Sequence, residues 1–199
     1  MTDAVRDCYS EVADLYIEMF GGIDRVDPQD LAFLRRSFGR CTGPVLDAGC
    51  GPGHLTAYLT DLGLTVSGVD LVPEFVEHAR TVRPGIDFTV GSVHSLAIPD
   101  GTLGGILAWY SLIHYRTTEL EAALAEFRRM AAPGAVLVVG FFDGEQVEPF
   151  EHKVTTAYRR PADQMSQLLK ANGFAEVDRA RRAEAGHVRP HAAIAAHAS

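Results

Sequence analysis

The chain has 199 residues, 47% of them hydrophobic, and carries 18 Lys+Arg against 26 Asp+Glu for a formal net charge of −8. That length and composition predict one globular domain with its own core, and the acidic balance, without a block of basic residues, argues against a nucleic-acid groove. Three cysteines without ligand spacing give neither a disulfide framework nor a zinc site, and no apolar run of about 18 residues or signal core is present, so a cytoplasmic protein without a membrane span is expected.

Taken in order, Val5, Cys8, Tyr9, Val12, Tyr16, Met19 and Phe20 recur at helical spacing and predict a helix over about 4–20, ended by Gly21-Gly22. Pro28 opens a second helix to Phe38. Val45-Leu46-Asp47-Ala48 reads as a buried strand. Gly49, Gly51 and Gly53 follow at alternate positions, and a helix starts at His54. Such a strand, turn and helix lets a ligand approach the backbone, and free N–H groups at the helix start favour an anion. Further strands are predicted over Leu64–Val69, Ile86–Val90, Leu103–Ala108 and Ala135–Gly140. A helix capped by Thr117 or Thr118, with Glu121 closing a capping box, precedes the last of these. Residues 141–153 read as a loop or lid and 154–158 as a short β-prone piece. A helix over 161–172 stopped by Gly173 follows, then an antiparallel pair from Phe174 to about Ala183 and His191 to His197.

The stretch Val45 to Gly53 resembles motif I of the class I S-adenosylmethionine (SAM) methyltransferases, apolar-apolar-Asp-apolar-Gly-x-Gly-x-Gly. His54 stands where a dinucleotide-binding Gly-x-Gly-x-x-Gly needs its third glycine. Gly91-Ser92-Val93, the Leu96 to Pro99 turn and Ala132-Pro133-Gly134 before an apolar strand also resemble this family, so the likeness runs from Val45 to about Phe142. It implies an α/β domain with a Rossmann-like, seven-stranded, mostly parallel sheet, helices on both faces and a carboxyl-terminal antiparallel hairpin. Residues 1–199 would form one domain: a helical lid (1–40), a SAM-binding core (41–142) and a substrate-side, sheet-edge segment (143–199).

The same resemblance implies cofactor contacts at Asp47, Gly49, Cys50, Gly51, Gly53 and Leu55, and at Asp70 and Leu71 after the second strand. Asp70 lies outside a strand end, where a carboxylate can accept both ribose hydroxyls; helix capping is its other reading. Ser92 would reach the adenine amino group, the Val93 N–H a ring nitrogen, and His94 would cover the base. Tyr9, Ala13 and Tyr16 match a lid helix of the form Tyr-x-x-x-Ala-x-x-Tyr, with Tyr16 beside the cofactor. For both tyrosines, core packing with a solvated hydroxyl competes. Beyond the fourth strand, Trp109 and Tyr110 offer aromatic faces for a sulfonium or planar substrate. His114 and His152 are candidate bases. Tyr110, His114, His152, Tyr158, Arg159 and His191 are candidate substrate contacts, with surface or edge roles competing for the last four. No Asn/Asp-Pro-Pro-Tyr/Phe, magnesium-site acid or double-glutamate pattern is present. The expected activity is SAM-dependent methyl transfer to a small molecule, without metal. The alternatives are a SAM-binding protein without turnover and an NAD-dependent oxidoreductase.

Overall fold

The computed structural model describes residues 2–182 and 189–199. The expected first helix is two helices, α1 (Thr2–Ser10) and α2 (Ala13–Phe20). The chain breaks at Val12 (φ −120°, ψ 15°), whose N–H bonds the Tyr9 carbonyl. The break brings Tyr9 and Tyr16 together edge-to-face, with ring centroids 5.5 Å apart. A single 3-10 turn (Ile23–Arg25) leads to α3 (Pro28–Phe38), where the Asp27 carboxylate accepts from the Gln29 N–H at 2.8 Å and Pro28 occupies the first turn.

The core alternates strand and helix: β1 (Val45–Ala48), α4 (His54–Asp61), β2 (Val66–Asp70), α5 (Pro73–Val82), β3 (Asp87–Val90), β4 (Leu103–Trp109), α6 (Thr117–Met130) and β5 (Ala131–Asp143). These strands are parallel in the order β3-β2-β1-β4-β5, so strand order reverses between β1 and β4. Two short strands, β6 (Glu148–Phe150) and β7 (Ala157–Arg160), then α7 (Ala162–Ala171), β8 (Phe174–Arg182) and β9 (His191–Ala198) complete the chain. β9 runs antiparallel to β5 from Val136↔His197 to Phe142↔His191, and β8 pairs antiparallel beyond it. That is the expected seven-stranded sheet with its terminal hairpin; Ala183, the expected end of β8, lies outside the described residues.

β6 and β7 raise the count to nine strands among the described residues; β6 falls where a loop had been expected, and β7 overlaps the short β-prone piece expected over 154–158. The reason lies in β5. β4 ends at Trp109↔Gly140, while β5 continues to Asp143. β7 takes the vacated place beside Phe142 and Asp143, and β6 pairs antiparallel on it. The hairpin thus walls the carboxyl end of the sheet.

Alternate residues of β5 face opposite layers, as a strand buried on both faces requires. Leu137 and Val139 pack with Leu124, Phe127 and Leu169 from α6 and α7. Val136 and Val138 pack with Phe33, Leu34, Phe38 and Leu59 from α3 and α4. The cap of α6 differs from expectation: the Arg116 N–H donates to Glu119 Oε2 at 2.9 Å, so the box begins at Arg116 and not at Thr117 or Thr118.

Candidate active site

The glycine turn after β1 has φ of +81° at Gly49, +52° at Gly51 and +84° at Gly53, a region that L side chains rarely adopt. Its amides are occupied within the protein. Gly49 and Cys50 N–H both donate to the Val69 carbonyl, Gly51 N–H to Asp70 Oδ2 at 2.8 Å, and Gly53 N–H to the Cys50 carbonyl. What these turn residues offer a ligand is therefore room rather than donors. The glycines differ in what surrounds them. A Cβ on Gly49 would meet the Ser111 Cβ at 2.2 Å, whereas a Cβ on Gly51 would meet nothing within 4 Å.

Asp70 ends β2 with both oxygens in use: Oδ1 accepts from the Val72 N–H at 2.9 Å and Oδ2 from Gly51. Burial raises its pKa, opposed by the backbone donors at Val72, Gly51 and Leu71. Asp70 thus braces Val72, the residue before α5, without capping a helical N–H, and its carboxylate faces the cleft. Each oxygen keeps a lone pair for a ligand.

Outside the carboxyl ends of β1, β2 and β4 lies a cleft of about 100 Å³. Gly49, Gly51, Asp70, Leu71 and Val93 line one side, and Trp109, Tyr110, Ser111, His114 and Tyr115 the other. Val5, Arg6, Tyr9 and Tyr16 close over it from α1 and α2. Burial pushes the Tyr16 hydroxyl up to about 12. The Trp109 ring lies against Gly140, where a Cβ would come within 2.7 Å of it. Tyr110, at φ +57°, makes the sharp corner out of β4.

His114 lies in the turn after β4, not in a helix, and is 4% exposed. Its Nδ1 is 2.8 Å from the Thr156 carbonyl and its Nε2 is 2.9 Å from the Tyr9 hydroxyl. A carbonyl only accepts, so the proton sits on Nδ1 and Nε2 accepts from Tyr9. Burial lowers the His114 pKa, and the Thr156 carbonyl works against that. The His152 ring centroid is 5.6 Å from that of His114. Burial, with His114 and nearby cations, pushes His152 down to about 4, and its Nδ1 is buried without a partner. Both imidazoles are therefore neutral at pH 7.

Several candidates stand away from the cleft lining. The Leu55 side chain is in the core with Val45 and Leu59. The Cys50 thiol packs with Val76, Ala79 and Phe88, and a Cβ on Gly53 would strike Ala79 and Phe88. These three serve packing through their side-chain positions. Asp47 is 1% exposed, accepts from Thr56 Oγ1 at 2.7 Å, and burial raises its pKa to about 7. Ser92 Oγ accepts from the His94 N–H within its own loop, and His94 packs on Tyr115 with centroids 4.8 Å apart. The Tyr158 hydroxyl accepts from Arg116 Nε at 3.3 Å, outside the cleft. Arg159 pairs with Glu148 at 3.1 Å. His191 is held between Arg182 Nε and the Arg189 carbonyl, beside Tyr110. Sequence reasoning missed the Tyr9–His114 bond, whose partners are 105 positions apart, and the role of the Thr156 carbonyl. The spacing of Tyr9 and Tyr16, which straddles α1 and α2, was the only signal.

Residues 45–134 match the family model described as "Methyltransferase domain". The malonyl-[acyl-carrier protein] O-methyltransferase of Yersinia pestis is 32% identical over 94 residues, 47% of this chain and 34% of that protein. The 2-heptyl-1-hydroxyquinolin-4(1H)-one methyltransferase of Mycobacteroides abscessus is 31% identical over 133 residues, 64% of this chain and 57% of that protein. The chain thus spans less than two thirds of these curated relatives. The 1,6-didemethyltoxoflavin-N1-methyltransferase of Burkholderia thailandensis, solved with 1,6-didemethyltoxoflavin and S-adenosylhomocysteine bound, superposes with a TM-score of 0.81 at 21% identity, covering 99% of this chain and 88% of that one. The glycine turn and the reversal of strand order between β1 and β4 agree with these likenesses: residues 45–134 are similar to methyltransferase domains, and the fold across the chain is that of the Burkholderia methyltransferase.

Proposed function

We propose that this protein is a SAM-dependent methyltransferase acting on a small molecule. The observation that carries the reading is the open side of Gly51 next to Asp70, at the point where strand order reverses and beneath the α1–α2 lid. The residues fit the cofactor. Gly51 leaves the space a close-approaching ligand needs, Asp70 presents acceptors for ribose hydroxyls, and Leu71 and Val93 are apolar walls for an adenine. Ser92 and His94 flank that end from their loop, and Tyr16 covers the opening. SAM bound there supplies a methyl group already activated by its sulfonium.

The chain's own work is placement and exclusion of water. Trp109 and Tyr110 give the acceptor side aromatic walls. His114 holds a neutral imidazole with Nδ1 fixed by Thr156, so Nε2 is the atom that can take a proton from an acceptor. His152 lies behind it and keeps that end free of charge. The lid is α1 and α2, while α3, grouped with it in the sequence reading, packs in the core against β5; the β6–β7 hairpin walls the acceptor side. No helix among the described residues is long and apolar enough to cross a membrane. The net charge of −8 favours a free small molecule over a nucleic acid.

Isothermal titration with SAM, S-adenosylhomocysteine and NADH tests this. Binding of both adenosyl ligands with none of NADH is expected. Binding of NADH and of neither adenosyl ligand would overturn the reading.

A further inference from the structure

The lid carries a phenol into the cleft. Tyr9 donates its hydroxyl to His114 Nε2 at 2.9 Å, and its ring stands edge-on to Tyr16, Phe75 and His114, with centroids 5.5, 6.1 and 5.6 Å away. The socket is therefore already matched in shape and polarity to a neutral aromatic hydroxyl. It also has no room to spare. The cleft holds about 100 Å³ with Tyr9 seated, whereas pockets for small ligands hold roughly 300 Å³ or more. Cofactor and acceptor therefore need the lid to move, and the place on His114 Nε2 is the one that Tyr9 fills. Beyond its packing, α1 is tied down by this hydrogen bond and by Ser10 Oγ on Glu74 at 2.9 Å.

Charge narrows the acceptor further. The cation among the lining residues, Arg6, has its guanidinium on Asp3 and Asp7 at 2.8–3.1 Å. His114 is neutral, and the carboxylate facing the cleft, Asp70, would repel an anion. A carboxylate or phosphate acceptor finds no available positive partner there, while a neutral O–H finds the Nε2 lone pair that Tyr9 now uses.

We propose that the acceptor is a small phenol or phenol-like hydroxy-heteroarene, bound in its neutral form, whose hydroxyl takes the place of Tyr9 on His114 Nε2 as α1 withdraws. The proposal rests on the methyl-transfer reading of this site and names its acceptor class. Tyr9 is a positioning residue on the lid: it keeps the imidazole in one tautomer and the aromatic socket closed until the acceptor arrives.

The test uses the protein saturated with S-adenosylhomocysteine, with phenol and anisole as probes. Nitrogen NMR of the histidine side chains reports His114 Nε2, and titration reports affinity. Phenol should shift the Nε2 resonance in the unaltered protein. It should bind about fivefold more tightly to Tyr9→Phe, since the competitor lost is one net hydrogen bond. Anisole, which cannot donate, should do neither. Equal binding of phenol and anisole, or phenol binding that Tyr9→Phe leaves unchanged or weakens, would overturn the acceptor assignment. The NMR arm needs no variant and stands if Tyr9→Phe folds poorly. Failure of S-adenosylhomocysteine to bind at all would instead sink the methyl-transfer reading itself, whereas its binding with no response of His114 to phenol sinks this proposal alone.

Discussion

Asp47 gives the sharpest physical prediction. It is 1% exposed at the third position of β1, with Thr56 Oγ1 donating to its carboxylate at 2.7 Å. Donors from Thr56 alone, side chain and backbone, do not replace the hydration of a carboxylate, so burial raises its pKa to about 7. In the unfolded chain an Asp titrates near ~3.9. The folded state therefore holds a proton that the unfolded state has lost between about pH 4 and pH 7. The stabilisation is complete below the unfolded value. It falls by about 1.4 kcal/mol per pH unit through that window and levels off above pH 7, about 4 kcal/mol lower in total. Asp47→Asn removes the titration. The amide still accepts from Thr56 but brings an N–H₂ that needs a partner, at a cost of about 1–3 kcal/mol. The variant should thus be less stable than the parent at pH 4 and more stable at pH 8. Urea unfolding of both proteins without ligand, from pH 4 to 8, measures the difference directly. Stability curves that stay parallel across the range would refute the argument that Asp47 is buried with a proton.

Other substitutions separate packing from ligand binding. Gly49→Ala drives a Cβ to 2.2 Å from Ser111 in a left-handed backbone and should cost about 2–4 kcal/mol of stability, read as a lowered denaturation midpoint. Gly51→Ala meets no atom within 4 Å, so only the backbone cost of about 1 kcal/mol falls on folding. Its main effect should be a loss of S-adenosylhomocysteine affinity, and unchanged affinity would show that no ligand approaches there. Asp70→Ala removes the acceptor for Gly51 and Val72 N–H and should weaken S-adenosylhomocysteine at least ~10-fold, as expected for losing charged hydrogen bonds; affinity within error of the parent would mean the ribose is placed wrongly. Gly140→Ala puts a Cβ 2.7 Å from the ring of Trp109, the one tryptophan of the chain, so the intrinsic fluorescence should change along with a loss of about 1–3 kcal/mol. An unchanged emission spectrum would place the ring elsewhere.

What the sequence showed and what it hid follow from the range of the interactions. Val45–Ala48, the glycine turn and the Pro28 start of α3 are local signals, and each element forms where its residues indicate. The break at Val12 was not visible because the apolar spacing of 4–20 continues through it; the reason for the break is tertiary, the joint packing of Tyr9 and Tyr16 on Phe75. β6 is three residues long and carries Pro149, too little for a strand pattern, whereas β7 overlaps the β-prone piece read over 154–158. They form because β5 outruns β4 and leaves backbone groups at Phe142 and Asp143 to be paired. The candidate site shows the same division. His114 and His152 were legible as residue types, but their approach to 5.6 Å depends on that unforeseen hairpin. The glycine turn carries the larger lesson. Three absent side chains read alike in a sequence, yet Ser111 fills the first space, Ala79 and Phe88 the third, and only the space beside Gly51 stays open to the cleft. A motif commonly read as a row of ligand contacts is here two packing constraints and one vacancy, and it is the vacancy, next to Asp70, that carries the functional argument.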